Sequence, residues 1–188
     1  MNRVILGVDP GLTRCGVAVI SAKTSRQIEL LHVDTLKSSA DSELSSRLVL
    51  IADGVEALIR EFKPTTVAME RVFAQANVRS VMGVAQISGV VLYLARRHNI
   101  PVEMHTPSEV KAAVTGSGRA QKAQIGSAVA KILKLDAIPK PADSADAIAI
   151  AICNAWKGMA SSLGAVKQTS AQAAWIAAER VASRRPKA

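Results

Sequence analysis

Four carboxylates stand where chemistry could use them. Asp9 closes the run RVILGVD, directly before Pro10-Gly11, and Glu70 closes TTVAME. Asp143 and Asp146 fall in PADSADAIAIAI, residues 141–152, which after Asp146 is almost pure alanine and isoleucine. A helix apolar on all sides is buried, and the i, i+3 spacing sets both aspartates on one face of its first turn. One Asp suffices to cap such a helix, because its oxygen accepts from orphan N–H groups and the dipole favours negative charge. A second adds repulsion and desolvation cost unless a cation or another partner lies between them. Taken singly, Asp9 reads as a turn residue and Glu70 as an exposed strand end. Taken together they make a more demanding pattern. Adjacent strands of an open α/β sheet end at one edge, where ligands bind, and a helix docked there brings its first turn to the same point. Four carboxylates so grouped cannot all stay ionised without cations. An oxygen-only set with no His or Cys suits Mg²⁺ or Mn²⁺ rather than zinc. Two such ions about 4 Å apart can activate a water and stabilise the leaving oxygen in phosphodiester cleavage.

The elements that must position these groups follow from hydrophobic periodicity. Residues 3–9, 16–22 and 27–36 read as an antiparallel meander. Residues 41–62 repeat apolar side chains at helical spacing (Leu44, Leu48, Ile51, Val55, Leu58, Ile59), with Asp41 or Ser42 as cap and Pro64 as stop. A strand over 65–70, a long helix over 77–98 and a strand over 100–106 come next. Pro107 opens a short helix to 114, TGSG breaks it, a helix resumes over 119–135, and PKPAD leads into the alanine-rich helix. The pattern is an α/β fold: a mixed sheet, three antiparallel strands then parallel ones, with helices on both faces. The helix over 77–98 is apolar on more than one face, beyond what packing on one sheet needs, which predicts a homodimer interface.

The chain has 188 residues and a net charge of +9. Residues 156–188 hold six Lys and Arg against Glu179 alone, net +5, leaving +4 for the rest. Both parts being basic favours a polyanionic partner, most often nucleic acid. A basic surface would also offset the repulsion between an acidic site and a phosphate backbone. With 49% hydrophobic residues the chain is globular, not disordered. No run is long enough for a membrane span, and the N-terminus lacks the apolar region of a signal peptide, so the expectation is a cytoplasmic protein without membrane contact. Cys15 and Cys153 show no metal spacing and read as buried free thiols. Residues 1–156 are expected to form the catalytic domain. Residues 157–188 are expected to form a basic tail, linker-like in its Gly/Ser/Ala/Gln composition over 157–173, with a short helix over 170–184.

At this point the residues carry a resemblance. LGVDPGLTRCGVAVI, VAMERVF, TPSEVKAAVTGSG, RAQKAQI and PADSADAIAIAIC are similar, in this order, to motifs of the RuvC family of Holliday-junction resolvases. The match runs from about residue 3 to 155, and it is the order and spacing of five separated motifs that make it specific. GVDPG alone would be weak, since sugar kinases and actin-like ATPases use similar strands. The resemblance implies a ribonuclease-H-like fold, a homodimer, and Mg²⁺-dependent symmetric nicking of four-way DNA junctions in recombination and repair, with Mn²⁺ able to substitute. It implies that Asp9, Glu70, Asp143 and Asp146 are the catalytic, metal-binding carboxylates, two ions per site. It also implies that Phe73 stacks on a junction base, that Lys111 and Lys122 lie near the scissile phosphate, and that the RuvA–RuvB branch-migration machine is a partner. The tail beyond Trp156 has no counterpart in the family pattern.

Read from the residues themselves, Phe73 follows a strand end, where it either stacks on an unpaired base or caps the core. Lys111 and Lys122 lie on successive helices, where a solvated face is the usual fate of lysine; Arg119 could contact phosphates as well. Three other classes compete with a structure-selective endonuclease. A non-catalytic binding module would not need all four carboxylates. An ATP-using enzyme of the sugar-kinase fold needs two such domains, more than 188 residues supply. A ribonuclease-H-like enzyme acting on RNA would be separated by comparing junction, linear duplex and RNA–DNA hybrid as substrates.

Overall fold

A central sheet carries two of the carboxylates, Asp9 and Glu70, at the ends of its strands. The computed structural model describes residues 2–23, 27–71 and 78–162, with side chains at 78–80 and 158–162 left aside. The strands are β1 (Arg3–Asp9), β2 (Arg14–Ala22), β3 (Ile28–Lys37), β4 (Thr66–Glu70) and β5 (Val102–His105). The helices are α1 (Leu44–Phe62), α2 (Val78–Arg97), α3 (Pro107–Thr115), α4 (Lys122–Leu133) and α5 (Ala142–Ser162). The sheet order is β3-β2-β1-β4-β5. β3, β2 and β1 pair antiparallel, and β4 and β5 continue parallel to β1. This is the expected mixed sheet, and helices cover both faces.

Strand alternation sorts side chains between two cores. Leu6, Val8, Val67 and Met69 point to the face covered by α1 and α2, where Ile51, Val55, Ile87 and Val91 bury against them. Ile5 and Ala68 point to the other face, where α5 lies with Val110 of α3 and Val129 of α4. The same parity turns Asp9 and Glu70 toward α5. Burial on nearly all sides explains the Ala/Ile composition of that helix: Ala147 to Cys153 are fully buried.

Two small positions in the sheet let α5 come close. A Cβ on Gly7 would collide with the carbonyl oxygen of Ala147 and lie 2.9 Å from the Ala151 Cβ. A Cβ on Gly16 would collide with the carbonyl oxygen of Asp143. Side-chain hydrogen bonds tie down the helix at its first turn and again past its middle. The Thr35 and Ser144 hydroxyls meet at 3.0 Å beneath the first turn. Farther along, Arg3 donates to Asn154 Oδ1 at 3.2 Å, and Asn154 Nδ2 donates to Glu103 at 2.9 Å.

Element ends differ from the sequence reading in places. β2 begins at Arg14, two residues early, because the hairpin ladder continues to the Arg14–Lys37 pair. α1 begins at Leu44 after Glu43, with no side-chain cap bond; Asp41 and Ser42 instead lie in a turn closed by Ser42 N–H to Ser39 O. α4 begins at Lys122, where Gln121 N–H donates to Gln124 Oε1 at 2.7 Å and takes over as cap. Cys15 and Cys153 are free and buried, and burial raises the Cys15 thiol to about 12. Among the described residues no helix is long and apolar enough to cross a membrane. The site-building elements belong to the unit Met1–Trp156. Phe73 and the helix expected over 170–184 lie outside the described residues.

Candidate active site

Asp9 is the last residue of β1 and Glu70 the last of β4. The parallel register pairs Val8 with Met69, so the two acids end adjacent strands side by side. Across the other edge Asp9 pairs with Gly16, over which the backbone of Asp143 is seated. The first turn of α5 is therefore set directly above the end of β1. Carboxylate oxygens of Asp9, Asp143 and Asp146 all lie within 4.8 Å of one another, and each residue is half-buried. Glu70 stands outside that group but within its field, since Asp146 raises its pKa.

Each of the two aspartates of α5 gives one oxygen to a cation. Asp143 Oδ2 accepts from Arg14 Nε at 2.7 Å, and Asp146 Oδ2 accepts from Lys122 Nζ at 2.8 Å. Both cations reach in from other elements, β2 and α4. Electrostatics show the crowding. Asp9 is pushed up from 3.8 to about 7, chiefly by burial, then by the charges of Asp146, Glu70 and Asp143, with Lys122 pulling the other way. Burial and Asp146 raise Glu70, while Lys111 and Lys122 lower it. Lys122 is itself held protonated by its hydrogen bond to Asp146. This is the signature of a cluster short of positive charge. An all-oxygen donor set gathered this closely fits a hard divalent ion.

Lys111 rides on α3, which Thr106 starts with a capping box: its hydroxyl accepts from Glu109 N–H at 3.2 Å, and Glu109 accepts from Thr106 N–H at 2.8 Å. Arg119 is exposed in the turn before α4, and among the described residues no ion pair ties it to the cluster. Arg14 was missed in the sequence. The signal that would have found it is the hairpin register: with Asp9 opposite Gly16, alternation puts Arg14 on the face that receives α5.

A family model for the crossover junction endodeoxyribonuclease RuvC matches residues 5–154. Curated relatives of that same name include one from Leifsonia xyli subsp. xyli, 50% identical over 194 residues, covering 96% of this chain and 93% of the relative. Another, from Streptomyces avermitilis, is 56% identical over 156 residues, covering 83% and 89%. Among solved structures, T. thermophilus RuvC in complex with a Holliday junction substrate superposes with a TM-score of 0.80 at 32% identity, covering 85% of this chain and 96% of that one. The yeast mitochondrial Holliday junction resolvase Ydc2 shares the fold at a TM-score of 0.60 and 14% identity, covering 82% and 80%. With a ribonuclease-H-like sheet, an acidic cluster at its edge and these relatives, the chain belongs to the RuvC family of crossover junction endodeoxyribonucleases.

Proposed function

We propose that this endonuclease binds four-way DNA junctions as a homodimer and resolves them by paired, symmetric, Mg²⁺-dependent nicks. The observation that carries this reading is the convergence of Asp9, Asp143 and Asp146 within 4.8 Å beside Glu70. These four residues would hold the metal, two ions per site, Mn²⁺ substituting for Mg²⁺. When bound, the ions supply an activated water and charge stabilisation at the leaving oxygen. The chain's own part is positional. Strand ends and the seated α5 fix the carboxylates, while Lys122, Lys111 and Arg119 draw a phosphate toward an otherwise repulsive cluster. Phe73, three residues past Glu70, is proposed to stack on an unpaired base. Half-exposed Met82, Leu92 and Tyr93 on α2 support a dimer interface on that helix, and a two-fold dimer suits a two-fold junction. Partnership with RuvA–RuvB follows from the family resemblance.

The test is cleavage of a synthetic four-way junction, a linear duplex and an RNA–DNA hybrid, each with Mg²⁺ and with EDTA. Paired nicks on the junction alone, lost in EDTA and in Asp9→Asn, Glu70→Gln, Asp143→Asn or Asp146→Asn, are expected, with junction binding retained. Equal cutting of the linear duplex would refute structure selectivity. Full nicking by any of the four variants would remove that residue from the catalytic set.

A further inference from the structure

The cation that holds Asp143 has a second edge that the chemistry above leaves unused. Arg14 opens β2 and donates from Nε to Asp143 Oδ2 at 2.7 Å. Its guanidinium is a planar fork with further N–H donors on the Nη groups. Among the described residues nothing accepts from those groups, and the side chain is 49% exposed. The turn ahead of it is fixed. Arg47 donates to Thr13 Oγ1 at 2.8 Å, and Ser38 N–H donates to the Thr13 carbonyl at 3.1 Å. A Cβ on Gly11 would collide with the Arg14 carbonyl oxygen. Across the ladder Arg14 is paired with Lys37, which is exposed and has no ion pair among the described residues. Residues directly opposite in an antiparallel pair have Cβ atoms about 5 Å apart, and like charges there are destabilising.

We infer that Arg14 is a positioning residue that bridges Asp143 and a phosphate of the bound strand. Its Nε edge holds the carboxylate in the orientation that receives the metal, and its Nη edge takes the phosphate. The inference rests on the junction-cleaving function proposed above and deepens it. Three arguments carry it. First, a carboxylate has two oxygens, so giving Oδ2 to Arg14 leaves Oδ1 for an ion, and a partner of this kind fixes the orientation of a metal ligand. Second, a guanidinium can serve two anions at a set angle, whereas an ammonium is a point charge that serves one well. Third, two cations stand opposite each other at the end of β2 and β3, and Asp143 pairs with only one of them. A phosphate supplies the missing negative charge, and such contacts set the register of the duplex rather than read its sequence. The rival reading makes Arg14 a mere counter-ion that neutralises the cluster until metal arrives. The two readings differ in sign. A counter-ion repels the metal, so its removal tightens metal binding. A residue that orients Asp143 assists the metal, so its removal weakens binding.

The experiment uses the full chain and measures Mn²⁺ affinity by calorimetry without DNA, and four-way-junction affinity against salt in EDTA. Arg14→Ala should weaken Mn²⁺ binding by about 10-fold and flatten the slope of log affinity against log salt by about 0.9 per active site. Lys37→Ala should flatten the slope alike and leave Mn²⁺ binding no weaker. Arg14→Lys keeps the charge, so it should restore Mn²⁺ affinity to within about three-fold of the parent and restore the salt slope, each measured alone. With Mg²⁺ its junction kcat should still stay about ten-fold below the parent, because one ammonium cannot hold both anions at once. All three variants should melt close to the parent, since a half-exposed ion pair contributes little to stability. Unchanged or tighter Mn²⁺ binding in Arg14→Ala overturns the hold on Asp143. An unchanged salt slope in that variant overturns the phosphate contact, and a parental kcat in Arg14→Lys overturns the bridge. A parent that neither binds nor cuts a junction with Mg²⁺ would instead refute the proposed function, while the DNA-free Mn²⁺ measurement still decides the role of Arg14 toward Asp143.

Discussion

Replacing Asp9 by Asn should stabilise the metal-free protein while destroying its activity. The folded chain holds the Asp9 proton up to about pH 7, and the free side chain releases it near 3.8. Between these values the folded state binds more protons than the unfolded one, so stability falls as pH rises, and the loss is complete above about pH 7. The two affinities differ by about 4 kcal/mol, which is the folding free energy the ionised carboxylate removes at pH 8. Asn is neutral throughout and escapes the loss. The variant should gain little below pH 4, about 1.5 kcal/mol at pH 5 and about 4 kcal/mol at pH 8. Thermal unfolding in EDTA reads this directly. From pH 5 to pH 8 the Tm gap should widen by roughly 5–10 °C for a chain of this size. Adding Mg²⁺ at pH 8 should raise the parent's Tm, because a ligand for the folded state stabilises it, and should raise the variant's far less. Junction cleavage by the variant should be lost. A variant equal to or less stable than the parent at pH 8 would show that the carboxylates are not crowded as their geometry indicates.

Other perturbations test the parts that build the site. Gly16→Ala places a Cβ against the Asp143 carbonyl and should lower kcat by about 100-fold through displacement of α5, with junction affinity kept; unchanged kcat would show that the seat of the helix is not what sets the carboxylates. Lys122→Ala removes the cation that lowers Asp9 and Glu70, so the pH midpoint of Mn²⁺ binding by calorimetry should move to more alkaline pH and cleavage at pH 7 should fall about ten-fold; an unmoved midpoint refutes the coupling. A chain ending at Ser162 loses Lys167, Arg180, Arg184, Arg185 and Lys187, so the slope of log affinity against log salt should flatten by no more than about 4.5 with cleavage preference kept; identical slopes would exclude a phosphate-binding role for the tail.

Much of this fold is legible because burial writes itself into periodicity. The nearly continuous apolar run in RVILGVD and the all-round apolarity of AIAIAI place a buried strand and a buried helix, and both are there. Element ends are less legible, because they are decided by single hydrogen bonds. Ser38 Oγ donates to Leu12 O at 2.5 Å, and Arg47 reaches both Ser38 and Thr13, which fixes the turn ahead of α1 by contacts no periodicity encodes. The site divides the same way. Its four acids stand out by type and position, but the cations that hold two of them depend on tertiary placement. Lys122 meets Asp146 and Arg14 meets Asp143 only because α4 and β2 converge on the same turn.

The glycines connect these observations. Gly7 and Gly16 are what allow α5 to lie against the sheet, and that approach brings Asp143 and Asp146 onto Asp9. Larger residues there would separate helix and strand, relieve the repulsion and let Asp9 ionise more readily. The close packing is thus the cause of both the raised Asp9 affinity and the small oxygen-lined site, and the two cannot be tuned apart. A buried hydrophobic helix supplies the force that holds mutually repelling groups together: seven consecutive fully buried residues, Ala147 to Cys153, anchor it, and each apolar side chain so buried contributes on the order of 1 kcal/mol or more. Stability is surrendered at the first turn and recovered along the rest of the helix. That arrangement is expected wherever function requires like charges to be kept close.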